Sequence, residues 1–243
     1  MKLVPLTLIL GVLGSSAFGQ VKLALPEIEG LIVSEGSGTY QRLLAEAARR
    51  ANLTYTSQVF PKTRALETFL RGAYDGIFTY TQTARDRLGA SEVLASYPFG
   101  AYRGYVFTPP GTPGVSDFAG LKGKVVGGVL GFEGTYTAIT KAGANLELVE
   151  TDAQNLQKLA IGRVSAVLGF LPDLYDQAKS LSYSPQHPFF ESYDRLTMRN
   201  TESNRKFLQK LSEALKTMHQ DGTVRAIVGP AYLPVSGDFP LDR

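Results

Sequence analysis

The chain has 243 residues, 44% of them hydrophobic, with no cysteine, two histidines and a formal net charge of +3. That length gives one large domain or two small ones, with apolar surface enough for a core that stands without disulfides. The missing thiol excludes cysteine nucleophiles and a lipid-anchored cysteine; His187 and His219, distant in sequence, argue against a zinc site; basic residues spread along the chain argue against nucleic acid.

The N-terminus reads as a secretory signal. Lys2 is the positive start, Leu3 to Leu13 is an apolar run of 11 residues, and Ala17-Phe18-Gly19 supplies the small residues of a cleavage site. The run is too short to span a bilayer as a helix, and no later stretch is long and apolar enough. Residues 1–19 are therefore expected to leave as a signal peptide, cleaved near Gly19, giving an exported chain with no stable membrane insertion.

Gln20 to Leu25 predicts a first strand. Thr39 or Ser37 can cap a helix on which Tyr40, Leu43, Leu44, Ala47, Ala48 and Ala51 repeat at helical spacing. Leu53 to Phe60 predicts a strand, and Phe60-Pro61 leads into a helix with Ala65, Leu66, Phe69 and Leu70 on one face, stopped by Gly72. Asp75 to Tyr80 is a short β-rich run, followed by a polar loop carrying Thr81, Thr83, Arg85 and Arg87. In open α/β sheets ligands bind beyond the carboxyl ends of strands, where an arginine's planar fork can hold a carboxylate by two parallel hydrogen bonds.

Tyr105 to Phe107 ends a further strand, and Pro109, Pro110, Gly111, Pro113 and Gly114 break regular structure as the clearest linker. A second α/β unit follows: a strand over Lys124 to Leu130, a turn over Gly131 to Tyr136 that opens a helix, a strand over Asn145 to Glu150, a helix capped by Asp152, a strand over Val164 to Phe170 and a helix near Pro172 to Lys179. The last helix, Asn204 to His219, carries Phe207, Leu208, Leu211, Leu215 and Met218 on one face. Alternating strands and helices split by a Pro/Gly linker predict an α/β protein of two lobes with its ligand in the cleft between them.

Five segments in this order carry a family resemblance: FPKTRALETFLRGAYDGIFTY from Phe60, SYPF from Ser96, GLKGKVVGGVLG from Gly120, LAIGRVSAVLGF from Leu159 and LSEALKTMHQDGTVRAIV from Leu211. Together they make the chain resemble the bacterial extracellular solute-binding proteins of amino-acid-type ABC importers (family 3, periplasmic binding protein type II), over nearly all of the exported part. The resemblance implies a two-lobed α/β fold with two crossing strands between lobes. Lobe one would be 20–107 and 197–243 and lobe two 108–196, with the chain crossing near Val106 to Pro110 and returning near Asp194 to Met198. It implies a monomeric periplasmic receptor that passes a small-molecule solute, polar and carboxylate-bearing, to an ABC-type membrane permease, with no cofactor, metal or catalytic residue.

In that family an arginine twelve residues after the strand Asp holds the ligand carboxylate, which from Asp75 is Arg87, with Arg85 the close competitor. The Gly-rich turn of lobe two, here Gly131, Phe132 and Thr135, would offer backbone N–H groups to the same anion. The family's acidic partner for an α-ammonium falls on Phe170, so an ordinary α-amino acid is less expected than the resemblance alone implies, and a carboxylate, or a neutral molecule stacked on aromatics, fits as well. Asp173 could substitute, but its expected place is the first turn of a helix. Thr81, Phe60, Tyr80, Tyr97, Tyr102, Phe132 and Phe170 stand near the predicted cleft loops. An alternative on the same scaffold is a dehydratase of prephenate-like cyclic acids, for which Glu27, Glu29 and Glu133 are the candidate general acids; another is a sensor subunit presenting solute to a membrane kinase.

Overall fold

Ten strands form two five-stranded sheets in the computed structural model, which describes residues 20–242; the expected signal peptide lies outside the described residues. The chain begins with β1 (Val21–Pro26), α1 (Thr39–Ala51), β2 (Tyr55–Phe60), α2 (Lys62–Leu70), β3 (Gly76–Phe78), α3 (Thr81–Leu88) and β4 (Val93–Ala95). It then crosses to β5 (Gly100–Phe107), β6 (Val125–Val129), α4 (Thr137–Lys141), β7 (Asn145–Val149), α5 (Asp152–Ala160), β8 (Ala166–Leu171), α6 (Tyr175–Ala178) and β9 (Phe190–Asp194). It returns through Arg195 to β10 (Leu196–Arg199), α7 (Glu202–Gln220) and α8 (Thr223–Val228).

The sheet orders are β2-β1-β3-β10-β4 and β7-β6-β8-β5-β9. In each, three strands run parallel and the fourth, β10 or β5, is antiparallel to both neighbours. The reversed strand of each sheet arrives directly from the edge strand of the other, by β4 to β5 outward and β9 to β10 on the return. The two passages lie side by side, with Ser96 N donating to Leu196 O (2.8 Å) and Phe99 N to Asp194 O (2.8 Å).

The passage point differs from the expected crossing at Val106 to Pro110. The strand β5 pairs with β8 from Arg103 to Phe107, inside the second sheet, so the chain changes sheets across Ser96 to Phe99. The Pro/Gly cluster is a loop of lobe two, anchored where Thr108 and Ser182 exchange backbone hydrogen bonds. Breakers mark solvent-facing turns, and a crossing strand that keeps its ladder bonds needs none.

The helices form for local reasons and are fixed by packing. Gly38 caps α1, where Gln41 Oε1 accepts from Gly38 N and Val33 N at 3.0 Å each. The apolar stripe of α1, Tyr40, Leu43, Leu44 and Ala47, shares a core with Phe207, Leu208, Leu211, Leu215 and Met218 of α7. Each such large side chain contributes about 1.5–3 kcal/mol on burial. Thr201 Oγ1 accepts from Asn204 N at 3.2 Å and starts α7 two residues earlier than its apolar pattern suggests. The core of lobe two is more aromatic, with Tyr136, Phe170 and Phe189 packed together and Tyr102, Phe132 and Phe190 against them.

Candidate functional site

Between the sheets lies a cavity of about 230 Å³, lined from both lobes. Lobe one brings Ile28, Leu31, Lys62 and the run Thr79 to Thr83. Lobe two brings Tyr102, Gly131, Phe132, Thr135, Phe170, Asp173, Phe190, Ser192 and Tyr193, and Asp194 closes the floor at the return passage.

The lobe-one wall is the carboxyl end of β3. Thr79 and Tyr80 both have positive φ, 60° and 56°. A β-branched residue there is a genuine outlier, costing about 1–3 kcal/mol. The surroundings hold it: Thr79 N donates to Arg195 O (2.7 Å), Thr197 Oγ1 donates to Thr79 O (2.9 Å), and the hydroxyls of Thr81 and Thr197 meet at 2.7 Å. The bend leaves Tyr80 packed on the lobe-one core while lining the cavity, and starts α3 at the cavity wall, where its first residues Thr81 to Thr83 stand.

That helix explains where the two arginines go. The segment read as a polar loop is α3, and a helix rises 1.5 Å per residue, so Arg85 and Arg87 lie about 3 and 6 Å further along the helix than Thr83, the last lining residue of that run. Arg87 is 59% exposed and faces Glu67 of α2 at 3.9 Å. Arg85 turns toward the return passage, where its charge joins burial in lowering the Arg195 guanidinium to about 10. Its Nε and Nη2 are buried without a hydrogen-bond partner among the described residues. Neither arginine lines the cavity, which corrects the expectation of a guanidinium anchor there.

Of the other expected site residues, Tyr80, Thr81, Gly131, Phe132, Thr135 and Phe170 meet in the cavity, and Phe60 and Tyr97 do not. Phe60 is buried in lobe one against Tyr74, with Arg64 over its ring. Tyr97 packs on His219 and Phe239 behind the crossing. The expected helix N-terminus at Gly131 to Tyr136 is a short 3-10 turn leading into the five-residue α4, a poor anion cradle. Glu27, Glu29 and Glu133 are exposed and outside the lining, so the carboxyl groups of this site are others.

Those others are Asp173 and Asp194. Asp194 is 7% exposed and accepts from Tyr40 Oη at 2.8 Å. Burial pushes its carboxyl up to about 6, restrained by hydrogen bonds from Tyr40 and Thr79. Gly100 makes this reach possible, since a Cβ there would stand 2.9 Å from Tyr40 Oη. Asp173 follows β8 directly and faces the cavity half-buried, with no side-chain partner among the described residues. Burial first, then Asp194 and Asp152, pushes it up to about 7, with Lys62 opposing. Lys62 is the one cationic side chain lining the cavity among the described residues, and its Nζ sits 4.8 Å from the ring centre of Phe132 across the cleft. Phe170 touches Tyr102, Phe132, Phe189 and Phe190, so the face beside Asp173 is a wall of rings. No group of His, Cys, Asp and Glu among the described residues could hold a metal ion.

No protein-family model matches the chain, and no curated protein matches it. Solved structures do. The GluR0 ligand-binding core in complex with L-glutamate superposes with a TM-score of 0.72 at 11% identity, covering 88% of this chain and 99% of that one. The ancestral amino acid-binding protein AncCDT-1, a precursor of cyclohexadienyl dehydratase, gives 0.67 at 17% identity, covering 88% and 96%. The second substrate-binding domain of a putative amino acid ABC transporter from Streptococcus pneumoniae gives 0.63 at 14% identity, covering 88% and 100%. The chain therefore has the two-lobed α/β fold of type II periplasmic binding proteins.

Proposed function

We propose that this chain is an exported solute receptor that closes its two lobes on a small polar solute and delivers it to an ABC-type permease in the membrane. The observation that carries this reading is the cavity lined from both lobes at the ends of β3 and β8. A ligand there touches both walls, so it favours the closed arrangement by the contacts it makes only when both are present. Neighbours of the same fold are named as amino-acid transporter binding proteins, which supports the class of solute. Without an arginine in the lining, a carboxylate on the solute would rely on Lys62 and the first turn of α3. A thermal-denaturation screen of amines, amino acids, dicarboxylates and sugars tests the reading: a binder is expected to raise the melting temperature and shrink the radius of gyration in X-ray scattering. No shift with any of them would count against it.

A second reading has one observation in its favour. Asp173, held up to about 7 in a ring-lined cavity, has the character of a general acid, and one neighbour of this fold is a precursor of a dehydratase. Incubation with prephenate, followed by product absorbance, separates it from simple binding: turnover lost on Asp173→Asn would establish an enzyme.

A further inference from the structure

From the groups on the cavity wall we infer that the solute is a small organic ammonium ion of net positive charge, with no need of a carboxylate: its N–H groups meet Asp173 and Asp194 and its body lies on the rings of Tyr102, Phe132 and Phe170. This rests on the receptor reading above and specifies its ligand.

Two carboxylates line the cavity against one ammonium, Lys62, which already faces Asp152 and Asp173 and lies over Phe132. A net-cationic ligand corrects this imbalance, and a zwitterion leaves it in place. Asp173 accepts from its own backbone N–H and has no side-chain donor among the described residues, so acceptor positions of its carboxylate stay open toward the cavity. Protonated amines are N–H donors only, which complements acceptor-only carboxylates. The faces of Tyr102, Phe132 and Phe170 attract a cation through their ring quadrupoles, more strongly where water is excluded. A ligand carboxylate would find only Lys62 and the first turn of α3 to meet it, and would add a third negative charge to a cavity that already holds Asp173 and Asp194, with both candidate guanidiniums outside the lining.

Matched pairs that differ by one carboxylate test this: phenethylamine against phenylalanine, histamine against histidine, putrescine against ornithine, each titrated calorimetrically into the full exported chain at pH 8, with succinate as the anionic arm. At least one amine is expected to bind on the order of tenfold or more tighter than its parent amino acid, and Asp173→Asn, shown folded by circular dichroism, is expected to lose that binding. Parent amino acids or succinate binding as tightly as the amines would overturn the ammonium assignment and leave the receptor reading standing, as would amine binding unchanged in Asp173→Asn. A folded protein that binds nothing in any arm, and does not compact in X-ray scattering, would overturn both.

Discussion

The two walls of the cleft are built from different materials. The lobe-one wall is backbone and hydroxyls: Thr79 and Tyr80 in a left-handed bend, Thr81 bonded to Thr197, and the first turn of α3. The lobe-two wall is rings around one carboxyl group, with Tyr102, Phe132, Phe170 and Phe190 beside Asp173. Lobe one has its hydrogen bonds largely made within itself, whereas lobe two presents a carboxylate with no side-chain donor of its own among the described residues. Backbone and hydroxyls fix the form of one side, and rings with a carboxyl group give the other its chemical character.

The sharpest way to break that contrast is Asp173→Asn. It is expected to weaken amine binding by about 100-fold, the ~3 kcal/mol typical of truncating one member of a buried charge pair, measured by calorimetry. The ligand-free variant is expected to be more stable, not less. Because the folded carboxyl is raised to about 7 above its usual 3.8, the native state holds the proton more tightly, so this group's effect on stability worsens as pH rises between those values. Asp194, Asp152, Lys62, Tyr40 and Tyr102 face the same region and move with it. Melting curves of the parent chain are expected to fall from pH 5 to pH 8, and Asp173→Asn should flatten that slope and gain about 3 °C at pH 8, near 1 kcal/mol after allowing for water at the cleft face.

Phe132→Ala tests the ring wall without hollowing the core, since Phe132 is only half-buried; roughly tenfold weaker amine binding is expected, with the fold kept. Lys62→Gln probes the lobe-one side. Removing a like charge is expected to tighten amine binding by about two- to fivefold, whereas a carboxylate-anchored ligand would bind more weakly. Arg87→Ala is expected to change nothing measurable in binding or melting, because the side chain is exposed and its contact with Glu67 is a long surface pair.

Much of the fold is legible in the chain, because apolar spacing in α1 and α7 and the short apolar runs of β3, β6 and β8 leave little choice of element. Tyr80, Thr81, Gly131, Phe132, Thr135 and Phe170 were reachable by the rule that ligands sit beyond strand ends. Asp173 obeys the same rule after β8, but its position beside a helix start resembles an ordinary first-turn acid. Asp194 comes to line the cavity because the return passage runs beside Gly100 and Tyr40, 154 positions from the latter. Lys62 depends on Phe132 arriving from the other lobe. Arg85 and Arg87 mislead because TQTARDR has no apolar stripe to announce the helix that carries them away, and only Ala84 of α3 is buried.

The reciprocal passages between sheets also set an order of assembly. Residues from Gly100 to Asp194 hold every strand of the second sheet, so that half can be completed from one uninterrupted stretch of chain. The first sheet cannot: β10, which joins β3 to β4, is made only after the whole second half, and α7, which covers α1, comes later still. A chain delivered from its N-terminus therefore leaves its opening hundred residues waiting, with apolar faces uncovered, until the last quarter arrives.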